Sequence, residues 1–267
     1  MITALSHYIE GRWVAPIQEE VIQQDACTGE GIGFCSSESL DFSSILEYGR
    51  KTGSAALRKM TFRQRGLMLK QLALYLHERR HHYYPLSYQT GATKADSWVD
   101  IEGGIGTLFA YASLRRQLSD QRWLVDGETV NLSKMGTFIG THVQVPRTGV
   151  AVHINAFNFP IWGMLEKVAV NWLAGMSAVV KPSEYTSFLT EAMVRDIIQS
   201  GILPEGSLQL VQGRGHGILD AVDSRDVVTF TGSANTGLRL KSMPAIAQQS
   251  VVFNMEADSL NAAIPGT

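Results

Sequence analysis

Cysteine is nearly absent: Cys27 and Cys35 are the only two in 267 residues. Two thiols cannot build a disulfide framework. No uncharged apolar run approaches membrane-spanning length, and Met1 to Glu10 lack the basic stretch followed by an apolar one that marks a secretory leader. The expectation is a soluble cytoplasmic protein with reduced thiols and no membrane partner. Charge is low as well. Charged residues make up 18% of the chain, against about a quarter in a typical globular protein, which suits a chain that buries surface against a partner. Lys plus Arg number 23 and Asp plus Glu 25, a formal net charge of −2. No basic stripe is there to neutralise phosphates, so nucleic acid is not an expected partner. The densest basic run, Arg79-Arg80-His81-His82, ends a helical pattern and answers its dipole. Repeats and low-complexity tracts are absent too. What is present is 45% hydrophobic residues, enough for a sizeable core in one large domain or two unequal ones.

The chain divides into three zones. Up to about Phe34, Tyr8-Ile9-Glu10-Gly11-Arg12-Trp13 reads as a short strand-like piece turned by Gly11. From about Leu40 to Leu118 the pattern is helical. Thr61 with Gln64 three residues on has capping-box spacing, and Leu69, Leu72, Tyr75 and Leu76 follow at helical intervals. Pro85 interrupts this pattern. A further helix from about Lys94 carries Trp98, Ile101, Ile105, Leu108 and Phe109. Glycine weakens a helix, so Gly103, Gly104 and Gly106 within it predict close approach of another backbone. Trp123 to Gln144 reads as extended antiparallel connectors.

At Gly149 the character changes. Strands are predicted at Val150–Ile154, 178–180, 208–211, 227–230 and 251–253, with helical patterns at 161–174, 188–199, 217–222 and 235–241 between them. Trp162, Leu165, Ala169 and Trp172 fall on one side of the first helix. Continuous apolar strands separated by helices predict an α/β fold, with a parallel sheet covered on both faces. Right-handed crossovers would wind it into a Rossmann-like half, with ligands beyond the C-terminal strand ends. Residues 1–148 are then the N-terminal strand, helices and bridging or oligomerisation strands, and 149–267 the nucleotide-binding domain.

Most of the chemistry-bearing residues sit at those strand ends. After the first strand, Asn158 precedes Phe159-Pro160. It either caps the next helix or donates its amide to an oxyanion. After the second comes Lys181-Pro182-Ser183-Glu184. Lys181 is either a surface charge or a donor to a nucleotide ribose, with Glu184 accepting from the 2′-hydroxyl. After the third, Gly213-Arg214-Gly215-His216-Gly217 is glycine-rich but not the full dinucleotide fingerprint. After the fourth, Thr231-Gly232-Ser233 opens a helix whose N-terminal N–H groups can hold a pyrophosphate. After the fifth, Glu256 is either a cap or surface pair beside Asp258, or a base.

Taken in order, Gly149-Val150, Asn158-Phe159-Pro160, Lys181-Pro182-Ser183-Glu184, Phe230-Thr231-Gly232-Ser233 and Glu256 resemble the aldehyde dehydrogenase superfamily, and Ile9-Glu10-Gly11-Arg12-Trp13 resembles its N-terminal strand. The run from Gln89 to Gly106, the run from His153 to Pro160, and Met255-Glu256-Ala257-Asp258-Ser259-Leu260-Asn261 are similar to the aldehyde dehydrogenase part of bifunctional phenylacetate-degradation proteins of the PaaZ type. The resemblance covers the whole chain. It implies that Asn158 helps form an oxyanion hole and that Glu256 activates water. It implies cofactor contacts from Phe157, Lys181, Ser183, Glu184, Gly213, Thr231, Gly232 and Ser233, and no metal. The implied cofactor is NADP or NAD, for Glu184 would repel a 2′-phosphate while Lys181 favours one. The implied reaction oxidises a small-molecule, CoA-linked semialdehyde to its acid: a thiolate attacks, hydride passes to nicotinamide, water releases the acyl group.

In the family the catalytic cysteine follows the glutamate, in the next domain. Cys27 and Cys35 match no nucleophile position. The expectation is therefore an incomplete aldehyde dehydrogenase fold, inactive alone, from a homo-oligomeric full-length parent. A non-catalytic nucleotide-binding remnant and an assembly-modulating chain are the alternatives.

Overall fold

The structure, a computed structural model, describes residues 2–258 and Ile264. The chain begins with β1 (Thr3–Ala4), the hairpin β2 (His7–Ile9) and β3 (Arg12–Val14), then β4 (Val21–Gln24) and β5 (Gly31–Cys35). Glu10 and Gly11 turn the hairpin at φ of 50° and 76°, a region glycine enters at no steric cost.

Six helices follow: α1 (Phe42–Tyr48), α2 (Ala55–Lys59), α3 (Phe62–Arg79), α4 (Tyr84–Gln89), α5 (Lys94–Trp98) and α6 (Gly104–Ser113). The capping box at α3 forms as expected. Thr61 Oγ1 accepts from the Gln64 N–H (3.2 Å), and Gln64 Oε1 accepts from the Thr61 N–H (2.8 Å). Leu69, Leu72 and Leu76 are fully buried. Pro85 does more than interrupt; it lies in the first turn of α4, where its missing N–H costs nothing. The helix from Lys94 is not continuous. A π-helical turn, Val99–Gly103, separates α5 from α6, and Trp98 is exposed. Gly103 and Gly104 do receive a close neighbour: a Cβ on either would come within 2.4 Å and 3.0 Å, respectively, of Trp162. Gly106 does not, since a Cβ there would meet nothing within 4 Å. The expectation of close approach at all three is corrected for Gly106, which faces outward. Next, β6 (Leu124–Asn131) and β7 (Ile139–Gln144) pair antiparallel as an arm exposed along most of its length.

The third zone runs β8 (Val150–Ile154), α7 (Pro160–Ala174), β9 (Ser177–Lys181), α8 (Ser187–Gln199), β10 (Leu208–Leu210), β11 (Val227–Gly232), α9 (Ala234–Lys241), α10 (Pro244–Gln248) and β12 (Val252–Ala257). The helix expected near 217–222 is a 3-10 turn, Ile218–Ala221. The strand order is β12-β11-β8-β9-β10-β2-β3. The first five of these are mutually parallel, and the N-terminal hairpin continues the sheet antiparallel to β10. The hairpin of zone one is thus part of this sheet, while β1, β5 and β4 form a separate three-stranded sheet. A hairpin seven residues into the chain gives no sign in its own sequence of which distant edge it will join.

Apolar side chains fill both faces, as continuous strands require. On one side Ala178 and Val180 pack with Leu165, Ala169 and Trp172 of α7 and with α3, α6 and α8. On the other Val150, Val152 and Val179 pack with Ile45 and Leu46 of α1 and Ile246 of α10. At the N-terminal strand edge the buried Arg50–Asp226 ion pair ties the helical zone to the sheet, Asp226 also accepting from the Val150 N–H at 2.9 Å. Its chemistry ends there; every predicted site residue lies at or near the opposite, C-terminal ends of strands.

Candidate active site

β8, β9, β11 and β12 end around one cleft of about 1060 Å³. Every sequence-predicted site residue except Gly213 lines it. Gly213 is corrected: it faces away, and a Cβ there would lie 2.5 Å from the Ser37 N and 2.8 Å from Glu20 Oε2. It is glycine because zone one packs on it. The same zone fixes the loop, with Ser37 Oγ accepting from the Gly215 N–H (2.8 Å) and Glu20 Oε2 accepting from the Ser37 N–H (2.9 Å). Arg214 to Gly217, not Gly213, face the cleft.

Four positions expected just past strand ends, Lys181, Thr231, Gly232 and Glu256, lie within the strands. β11 extends through Gly232 and β12 through Ala257, so Thr231 and Glu256 are strand residues paired with each other in register. Thr231 Oγ1 donates to Glu256 Oε2 at 3.1 Å. The Glu256 side chain is 69% exposed, open to the cleft rather than buried against an apolar strand. Ser259, Leu260 and Asn261, the end of that motif, lie outside the described residues.

Lys181 ends β9 with its side chain buried, its Nζ 3.2 Å from Glu184 Oε2. Burial pushes the Glu184 carboxyl upward, but the Lys181 and Arg214 charges outweigh it and hold the group below the usual carboxylate range. Ser183 Oγ accepts from the Tyr185 N–H (3.4 Å), and the Phe157 carbonyl accepts from Thr186 Oγ1 (3.0 Å), which locks the two loops together. Ser233 is the N-cap of α9, accepting from the Thr236 N–H at 3.3 Å. The Ala234 N–H at that helix start donates to Asp258 (3.2 Å).

Asn158 caps nothing. The N-cap of α7 is Phe159, whose side chain makes no capping bond, and the Ile161 and Trp162 N–H groups donate instead to the buried Asp100. Of the two roles open to Asn158 in the sequence, the capping one is taken. A second, adjoining recess of about 410 Å³ is lined by Asn158, Phe159, Trp162, Lys167 and Glu256. Lys167 Nζ lies 2.7 Å from Glu166 Oε1 and 3.9 Å from Glu256 Oε2, and Trp162 Nε1 donates to Glu166 (2.9 Å).

Sequence reasoning missed Lys167, Asp100 and Asn155. Lys167 and Asp100 sit inside helical patterns where charge reads as surface. Asn155 is 4% exposed, lines the main cleft, and has neither amide atom hydrogen-bonded among the described residues. An unpaired buried amide is costly, which suits a cleft that takes a polar ligand.

A parallel sheet wound with helices on both faces, with polar groups gathered at its C-terminal edge, defines the Rossmann-like α/β class. Within it the chain belongs to the aldehyde dehydrogenase family, whose pattern matches residues 13–264. It is 41% identical over 263 residues to 3,4-dehydroadipyl-CoA semialdehyde dehydrogenase of Aromatoleum evansii, covering 98% of this chain and 51% of that protein. It is 26% identical over 238 residues to D-glyceraldehyde dehydrogenase (NADP(+)) of Picrophilus torridus, covering 87% and 46%. The chain thus spans about half the length of the curated relatives it matches. Among solved structures, lactaldehyde dehydrogenase from Escherichia coli superposes with a TM-score of 0.79 at 19% identity, over 96% of this chain and 52% of that one. Betaine aldehyde dehydrogenase from Staphylococcus aureus in complex with NAD+ gives 0.78 at 24%, over 96% and 50%. These likenesses show the fold.

Proposed function

We propose that this chain is the cofactor-binding half of an NAD(P)-dependent aldehyde dehydrogenase whose substrate is a CoA-linked semialdehyde. The observation that carries this is the convergence of Asn158, Glu256, Lys181 and Glu184 on one cleft. The substrate class rests on the similarity to the Aromatoleum evansii protein. In this reading residues 149–267 form the nucleotide-binding domain, residues 1–148 pack on it, and the exposed β6–β7 arm, with Val130, Leu132, Phe138 and Ile139 uncovered, is a surface for pairing in a homo-oligomeric parent.

The cleft fits a pyridine nucleotide: Lys181 and Glu184 can bond a ribose, the N-terminus of α9 can take a pyrophosphate in place of Asp258, and Ile218, Leu219, Leu240 and Met243 give an apolar end. Both NAD and NADP suit it, Glu184 favouring a free 2′-hydroxyl and Lys181 with Arg214 a phosphate. When bound, the nucleotide supplies the hydride acceptor. The chain's own residues do the rest. Asn158 donates its amide to the aldehyde oxygen as negative charge gathers there. Glu256, hydrogen-bonded by Thr231 and near Lys167, accepts a proton from water attacking the acyl carbon. Neither Cys27 nor Cys35 lines the cleft, and burial pushes the Cys35 thiol up, away from the reactive thiolate. The attacking thiol is assigned to sequence outside this chain, which alone does not turn over. Calorimetric titration with NADP and with NAD tests the reading. Binding of either supports it, and absence of heat with both overturns it.

A further inference from the structure

The N-terminus of α7 begins two residues after Asn158, and nothing in its own sequence caps it. Phe159 has no side-chain acceptor and Pro160 no N–H. The first free donors are the N–H groups of Ile161 and Trp162, and both are taken by one carboxylate from another element. Asp100 Oδ1 accepts from Ile161 (3.1 Å) and Trp162 (2.7 Å), and Oδ2 lies 3.4 Å from the Ile161 N. Asp100 is 2% exposed and sits on the π-helical turn Val99–Gly103, a wider turn than the α-helix on either side. Gly103 and Gly104 let that turn rest on Trp162, and Val99 from the same turn lines the recess that holds Asn158.

We infer that Asp100 is a positioning residue for Asn158: by capping α7 from outside, it holds the turn and leaves the Asn158 amide free to face the cleft. A local cap from residue 158 would consume the group that the chemistry needs. This inference rests on the proposed role of Asn158, but the coupling it asserts can be measured without that role.

Burial lifts the Asp100 carboxyl to about 7, with the Trp162 and Ile161 N–H groups pulling the other way. Among the described residues, no charged side chain bonds it. Glu102, on the same turn, binds Tyr84 and Arg80. Of α5, Asp96 belongs to the Thr93 capping box and Lys94 is exposed. No charged residue lies on α6. On α7, Glu166 and Lys167 pair with each other. Protonation removes an acceptor oxygen from the cap, so the turn should respond to pH through Asp100.

The test uses this chain labelled with 15N at asparagine, with the Asn158 side-chain amide assigned by its loss in Asn158→Ala. In the unmodified chain that signal should shift with a midpoint at about 7. In Asp100→Asn, which keeps an acceptor oxygen but cannot titrate, the shift should vanish. In Asp100→Ala the signal should move or broaden at every pH. If Asp100→Ala does not fold, the Asn variant carries the test alone. An Asn158 signal indifferent to pH, or one that titrates unchanged in Asp100→Asn, overturns the inference. A chain that binds neither NAD nor NADP removes the proposed function yet leaves this coupling to be read.

Discussion

Lys181 and Glu184 meet at 3.2 Å on the rim of the cleft, with 8% and 23% of their side chains exposed. At that burial the pair is shielded from full solvent screening, and any ribose or phosphate that enters must exchange hydrogen bonds with it. Replacing Lys181 with Ala should weaken nucleotide binding about tenfold, the order of one hydrogen bond to a charged group. Glu184→Gln removes the negative charge while keeping the shape, so NADP affinity should rise severalfold relative to NAD. Titrating both nucleotides against each variant reads both effects.

Gly103 and Gly106 should answer the same substitution with opposite signs. An alanine Cβ at residue 103 would sit 2.4 Å from the Trp162 ring, whereas at residue 106 it meets open space. Gly103→Ala should lose about 1–3 kcal/mol from overpacking. Gly106→Ala, gaining helix propensity alone, should add up to about 1 kcal/mol. Urea unfolding of the two variants decides it.

Asp100 gives the chain a particular stability profile. Burial raises its folded value to about 7, well above the ordinary carboxylate value of 3.8. Between these, the native state holds a proton that the unfolded state has released. Stability from this group is therefore fully present below about 4 and is lost as pH rises towards about 7, with no further change above. Asp100→Asn should flatten that part of the profile, measured as midpoint denaturant concentration against pH. A profile that keeps its slope in the Asn variant assigns the effect elsewhere.

The chain by itself should not oxidise aldehydes. Cys27 is exposed and donates to the Tyr88 carbonyl at 3.4 Å, and Cys35 is fully buried. Neither reaches the cleft. No reduced nucleotide should accumulate when the purified chain is mixed with a semialdehyde and NADP or NAD. Sustained turnover that Cys27→Ser abolishes would put the nucleophile where this account does not.

The sheet was legible because its strands are continuous apolar runs of the right length, and Lys181, Thr231 and Glu256 could be placed because strand ends face one way. Strand lengths were less legible: β11 and β12 run on through Gly232 and Ala257, since pairing across the sheet extends them past the apolar residues. Tyr8 to Trp13 was visible as a strand-like piece turned at Gly11, but its docking on β10 depends on a partner some two hundred positions away, and local pattern carries no such information. Gly213 was misread for a related reason. A glycine in a glycine-rich loop looks the same whether a phosphate or a protein backbone approaches it, and here the backbone is Ser36–Ser37. Asp100 escaped because its charge sits in a helical pattern, and only packing shows that it caps a different helix.

Hydrogen exchange with and without NADP tests the convergence of the strand ends most directly. The account predicts that the nucleotide slows exchange together in the segments around Asn155–Asn158, Lys181–Glu184 and Thr231–Thr236, and leaves the β6–β7 arm unchanged. Binding that protects none of these segments, or only one of them, would contradict it.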